Sequence, residues 1–217
     1  MLNTSIFIIA PLLLTALLIS EKRGSTAFKV TFKFLLAALF ILLAVVQTAR
    51  DPHFAGAVIS GLALCLVGDV CLAVPGQKAF RIGLVAFLLG HIGYIAAFVI
   101  MARPEVAMWV TALLAVPLST VVYYRLLPFL NGMRRAVMGY VVIITLMVIA
   151  AGTLFGAPEW SYPGRLLVLN GALAFYVSDL FVARQRFVHQ TFFNRLIGLP
   201  LYYLGQFQIA YSIGLIG

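Results

Sequence analysis

The stretch "GLALCLVGDVCLA", Gly61 to Ala73, is apolar along nearly its whole length and carries one bare carboxylate, Asp69. It closes a longer apolar run, 54–74, long enough to cross the hydrocarbon of a bilayer as a helix. An Asp at the middle of a spanning helix costs roughly 2.5 to 3.5 kcal/mol on insertion scales, so its presence calls for a reason.

The rest of the chain repeats the pattern. Of 217 residues, 64% are hydrophobic and 10% charged, against roughly 25% charged in soluble domains. Eight spans fit almost end to end, at 3–20, 33–49, 54–74, 80–101, 107–127, 135–155, 164–183 and 196–216. They are too long and too continuous for barrel strands, so their backbone polar groups are satisfied within helices. The expected fold is all-α: one polytopic membrane bundle over residues 1–217, with short connections and no separate soluble domain. The first run has no basic residue before it and no small-residue cleavage site after it, which reads as a retained span rather than a signal peptide.

The net charge of +9 follows topology and implies no nucleic-acid partner. Lys22, Arg23, Lys29, Lys33, Lys78, Arg81, Arg125, Arg134, Arg135, Arg184, Arg186 and Arg195 fall around the odd-numbered connections, leaving Arg50, Arg103 and Arg165 for the even ones. The positive-inside rule then puts the odd connections in the cytoplasm and both termini outside. Cys65 and Cys71, six apart within one span, read as small apolar residues.

Sliding the chain by 110 residues sets "GLALCLVGDVCLA" over "GALAFYVSDLFVA", Gly171 to Ala183, with Asp69 over Asp179. With a connection five residues longer, "GLVAFLLGH" (Gly83 to His91) lies over "GLPLYYLGQ" (Gly198 to Gln206). An even number of spans separates the copies, so they share one orientation, as two parallel four-helix repeats over 1–105 and 106–217. Both acids then lie about 7 to 8 Å inside the cytoplasmic edge at 1.5 Å rise per residue. At one depth on equivalent helices they can face one another, and a proton donor beside an anion is the pair many hydrolyses use.

Other polar residues gather near that depth. His91 and Tyr94 share a face of the fourth span, and Tyr202 and Gln206 share a face of the eighth, with Tyr203 adjacent. His91 alone reads as a helix-to-helix hydrogen-bond partner; its match to Gln206 makes it a catalytic candidate. Lys29 and Lys33 share a face at the start of the second span. They read either as snorkelling cations or as ligands for a substrate phosphate above the acids. His53 and His189 fall on opposite sides of the membrane from one another, so three histidines do not converge on a zinc, and no serine elbow, HExxH motif, P-loop or dinucleotide fingerprint is present. Acid/base chemistry without a cofactor is what remains for an enzyme. A proton-coupled transporter of a lipid or small molecule, with Pro117 as the main internal break, and a purely structural bundle are the alternatives.

"GDVCL" at Gly68, "FRIGLVAFLLGHIGY" at Phe80, "YVSDLFVA" at Tyr176 and "YYLGQ" at Tyr202, in this order and spacing, resemble the YhhN/TMEM86 family. The resemblance implies an eight-span protein of a plasma membrane, here a bacterial inner membrane. It also implies lysoplasmalogenase activity: hydrolysis of the vinyl ether of a lysophospholipid to a fatty aldehyde and a glycerophospho-alcohol. Carried over by motif, Asp69 and Asp179 are the acids, and His91, Tyr94, Tyr203 and Gln206 the surrounding polar set. The family often carries Lys-Pro where this chain reads Lys29-Val30, so Lys29 and Lys33 both remain candidates for that lysine. The expected site is therefore Asp69, Asp179 and His91 for catalysis, with Lys29, Lys33, Tyr94, Tyr202, Tyr203 and Gln206 around the substrate.

Overall fold

A computed structural model describes residues 2–216. Among these residues there are eight α-helices and no strands: α1 Leu2–Arg23, α2 Thr26–Val45, α3 Pro52–Ala73, α4 Gln77–Ile100, α5 Val106–Leu126, α6 Arg134–Phe155, α7 Tyr162–Ala183 and α8 Phe192–Ser212. Seven are long and apolar enough to cross a membrane; α8 is not among them. The chain is thus an integral, multi-pass membrane protein. The α8 helix carries Asn194, Arg195, Gln206 and Gln208, and eleven of its 21 residues are buried. It packs against α7, α2, α1 and α3, and its Asn194 and Gln206 are buried among them. By contrast α5 buries three of 21 residues and lies at the periphery against α6. Pro117 does not break α5, which continues through it, as membrane helices allow.

Helix starts follow local chemistry. Asp51 caps α3 by accepting from the Phe54 N–H at 2.8 Å, with Pro52 at the first position; Ser161, 110 residues later, caps α7 by accepting from the Gly164 N–H at 3.3 Å. The α2 helix starts at Thr26, seven residues before the apolar run begins, because it persists through its basic first turns.

Four glycines bring two helix pairs into backbone contact. A Cβ on Gly61 would lie 3.0 Å from the Gly90 carbonyl oxygen, and one on Gly90 would lie 3.0 Å from that of Gly61. In the second half, Gly171 and Gly205 stand in the same relation at 2.9 and 2.7 Å. Only residues without a side chain let backbones approach this far. The α3–α4 and α7–α8 pairs therefore close on matching positions, and residues two turns further along α3 and α7 face the same end of the bundle.

Candidate active site

Two turns from those glycine contacts, Asp69 on α3 and Asp179 on α7 line a single cavity. Its walls are largely apolar, with Leu84, Phe87, Val141 and Ile144 among them.

Asp69 is 1% exposed and fully engaged. Its Oδ1 accepts from Lys33 Nζ at 3.3 Å, and its Oδ2 from the Tyr202 hydroxyl at 2.6 Å. Behind Tyr202 runs a chain of donors. Tyr94 donates to Gln206 Oε1 at 2.6 Å, and Gln206 Nε2 donates to the Tyr202 hydroxyl at 3.1 Å, fixing the direction of the Tyr202 bond. Tyr94 also reaches Cys65 Sγ at 3.8 Å.

Asp179 is partly exposed to the cavity and has a simpler setting. The Tyr140 hydroxyl of α6 donates to its Oδ2 at 2.5 Å. No cation pairs with Asp179 among the described residues, where the salt bridges are Lys33 with Asp69 and Arg195 with Glu21. Lys33 on α2 thus reaches Asp69 on α3 as an ammonium, and Tyr140 on α6 reaches Asp179 on α7 as a phenol. The carboxyls share no hydrogen bond, and each is held by its own partners.

The remaining expected residues separate by position. Lys33 and Tyr202 line the cavity. Lys33 does not snorkel: its side chain is 4% exposed and committed to Asp69. Lys29, one turn away on α2, lines a second, polar pocket instead. His91, Tyr94, Tyr203 and Gln206 lie behind the cavity wall. His91 is fully buried, edge-on to Tyr140 at 5.3 Å and to Phe175 at 4.5 Å between ring centroids. Neither of its ring nitrogens makes a well-formed side-chain hydrogen bond, and the Phe87 carbonyl one turn back is its polar neighbour. The Tyr203 hydroxyl is buried without a partner and touches neither acid. Tyr140, which the sequence reading passed over, is the residue bonded to Asp179. One signal could have found it: Tyr140 sits about two turns into α6, as Lys33 does in α2.

Comparison with known proteins gives a consistent picture. Lysoplasmalogenase TMEM86A of Homo sapiens is 32% identical over 155 residues, which is 70% of this chain and 62% of that protein. The Bos taurus TMEM86A is 36% identical over 156 residues, with 70% and 62% covered. Lysoplasmalogenase TMEM86B of Mus musculus is 31% identical over 158 residues, with 71% and 62% covered. The matched region thus spans 62% of the length of these relatives. No solved structure matches. A profile of the YhhN family matches residues 25–213, a range that takes in both acids, both lysines of α2 and the whole of α8, and the chain is a member of that family.

Proposed function

We propose that the chain is a lysoplasmalogenase, hydrolysing the vinyl ether of a lysoplasmalogen within the bilayer. The observation that carries the reading is the pair of carboxyls, one from each half, on one mostly apolar cavity. The names of the relatives favour this hydrolase over a transporter. In this reading all eight helices span the membrane as two parallel repeats, supported by the paired glycine contacts. The basic connections lie in the cytoplasm and both termini outside.

The charge asymmetry divides the work. Asp69, with an ammonium on one oxygen and a phenol on the other, is kept as the carboxylate. Asp179, with no cation beside it, carries the proton. Asp179 delivers that proton to the β-carbon of the vinyl ether, whose π pair forms the new C–H bond and leaves an oxocarbenium ion at the carbon bearing oxygen. The Asp69 carboxylate stabilises this cation and then takes a proton from the water that adds there. The hemiacetal breaks its bond to glycerol, whose oxygen receives the proton from Asp69. The hemiacetal hydroxyl becomes the aldehyde carbonyl and returns a proton to Asp179. One water is consumed and both carboxyls end as they began. Tyr140 orients the acid, while Tyr202, Gln206 and Tyr94 orient the base. His91 acts through Tyr140, as packing.

The test is aldehyde release by purified protein from a 1-alkenyl lysophospholipid in D2O. The expected product carries one deuterium beside the aldehyde carbonyl, and the saturated 1-alkyl analogue is untouched. Absence of aldehyde, or an aldehyde without that deuterium, contradicts the proposal.

A further inference from the structure

Adjoining the acid cavity is a second, polar pocket of about 920 Å³, measured out to bulk solvent, lined by Lys29, Gln185, Arg186, Gln190, Arg195 and Glu21 among others. We propose that it is a phosphate-recognition subsite, which takes the headgroup phosphate of a lysophospholipid whose alkenyl chain lies in the acid cavity. The proposal deepens the lysoplasmalogenase reading and rests on it for the identity of the lipid.

Charge comes first. Three cations face one carboxylate, and Glu21 is already paired with Arg195 Nε at 3.7 Å. Among the described residues neither Lys29 nor Arg186 has a carboxylate partner. The pocket therefore holds an excess of two positive charges, which suits a phosphate group and disfavours a neutral glycerol ether.

Donor geometry comes second. The Arg186 guanidinium lies over the Phe80 ring at 4.3 Å. Stacking occupies the face of a guanidinium and leaves its N–H edge free, the edge that grips phosphate oxygens in pairs. The Gln185 side-chain oxygen already accepts from the Thr191 N–H at 3.0 Å and from Asn194 Nδ2 at 2.8 Å, so its amide nitrogen remains available to donate. Buried Asn194 also donates to the His189 carbonyl at 2.8 Å and accepts from Arg184 at 3.1 Å. These bonds clamp the π-helical turn Arg184–Val188 that presents Arg186, a kind of turn that recurs at functional sites.

Position comes third. Leu72, Phe80, Val182, Arg186 and Arg195 line both pockets, so the two adjoin along a shared wall. Lys29 lines the polar pocket and Lys33 the acid cavity, one turn apart on α2 or about 6 Å along its axis. The three-carbon glycerol that separates a vinyl ether oxygen from a headgroup phosphate bridges such an offset. Gly76, at φ +124°, lies in the tight α3–α4 turn that lines the polar pocket.

The experiment measures binding rather than turnover, in a maltoside detergent that carries no phosphate. The probes are a saturated 1-alkyl lysophosphoethanolamine, the neutral 1-alkylglycerol of the same chain length, and inorganic phosphate. The native protein should bind the phospholipid at least about tenfold more tightly than the alkylglycerol, the effect of one good charge contact. Inorganic phosphate should displace the phospholipid and leave alkylglycerol binding unchanged. The Lys29→Gln/Arg186→Gln variant, at two sites outside the core, should lose most of that preference while binding the alkylglycerol as before. The charge-reversed Lys29→Glu/Arg186→Glu variant should invert it. Equal binding of the two lipids by the native protein, or an unchanged preference in the variants, overturns the proposal. So does alkylglycerol binding that tightens when phosphate is added, since that marks a site for free phosphate. Intact headgroup preference without aldehyde release would remove the hydrolase reading and leave the subsite standing.

Discussion

Replacing Lys33 by Met removes an ammonium 3.3 Å from Asp69 in a setting where the two side chains are 4% and 1% exposed. At an effective dielectric constant of about 20 the Coulomb energy at that distance is about 5 kcal/mol. Much of it offsets the desolvation of the two ions, and removing one partner from such a buried pair costs about 3 to 5 kcal/mol because the other charge is stranded. For a chain of this size that is a fall of roughly 6 to 20 °C in thermal midpoint, at 2 to 4 °C per kcal/mol. The assay is a double-mutant cycle of Lys33→Met, Asp69→Asn and the combination, followed by thermal unfolding in detergent. Each single variant strands one charge and should lose stability, whereas the double variant strands neither and should be more stable than Lys33→Met alone. The coupling should exceed about 1.5 kcal/mol, the lower end for a charge-assisted hydrogen bond. Single effects that add within about 0.5 kcal/mol would refute the claim that the pair is formed and buried.

Tyr140→Phe removes the hydrogen bond to Asp179 and should lower kcat roughly 10- to 100-fold with little change in KM, from the 1.5 to 3 kcal/mol of a bond to a charged or acidic partner; an unchanged kcat removes Tyr140 from the mechanism. His91→Phe should keep activity within about tenfold of native, since a near-isosteric aromatic preserves the packing on Tyr140 and Phe175 at under about 1.5 kcal/mol. A folded His91→Phe protein without activity would put the imidazole in the reaction. Gly205→Ala places a Cβ 2.7 Å from the Gly171 carbonyl oxygen and should destabilise by about 1 to 3 kcal/mol. Gly139→Ala on α6, where nothing lies within 4 Å, should be neutral or stabilising by up to about 1 kcal/mol, and thermal unfolding separates the two.

Much of this architecture is legible from charge and length alone. The cost of a carboxylate in hydrocarbon singles out Asp69 and Asp179, and both line one cavity. Tyr202 and Tyr203 are both candidates in the sequence, and only the rotation of α8 gives Tyr202 the bond to Asp69 and leaves the Tyr203 hydroxyl without a partner. What the sequence hides is rotation. The α2 helix is apolar almost all round, so nothing in its periodicity says whether Lys29 or Lys33 turns inward. Only packing against α3 and α8 decides that Lys33 is buried against Asp69 while Lys29 stays at the rim. Tyr140 is hidden for a related reason: a tyrosine near the end of a membrane helix ordinarily reads as an interfacial anchor, and its bond to Asp179 depends on how α6 and α7 meet. A helix with Asn194, Arg195, Gln206 and Gln208 falls short of the apolar composition of a span, yet in the bundle Asn194 and Gln206 are hydrogen-bonded and Arg195 lines both pockets.

The most direct measurement of the central claim is single-turnover aldehyde release by Asp69→Asn and by Asp179→Asn, alongside binding of the saturated alkyl lysophospholipid. If the two carboxyls are the base and the acid, each change alone should slow release at least about 100-fold, the usual contribution of a positioned acid or base, with lipid binding retained. Release at near-native rate from either folded variant would contradict it.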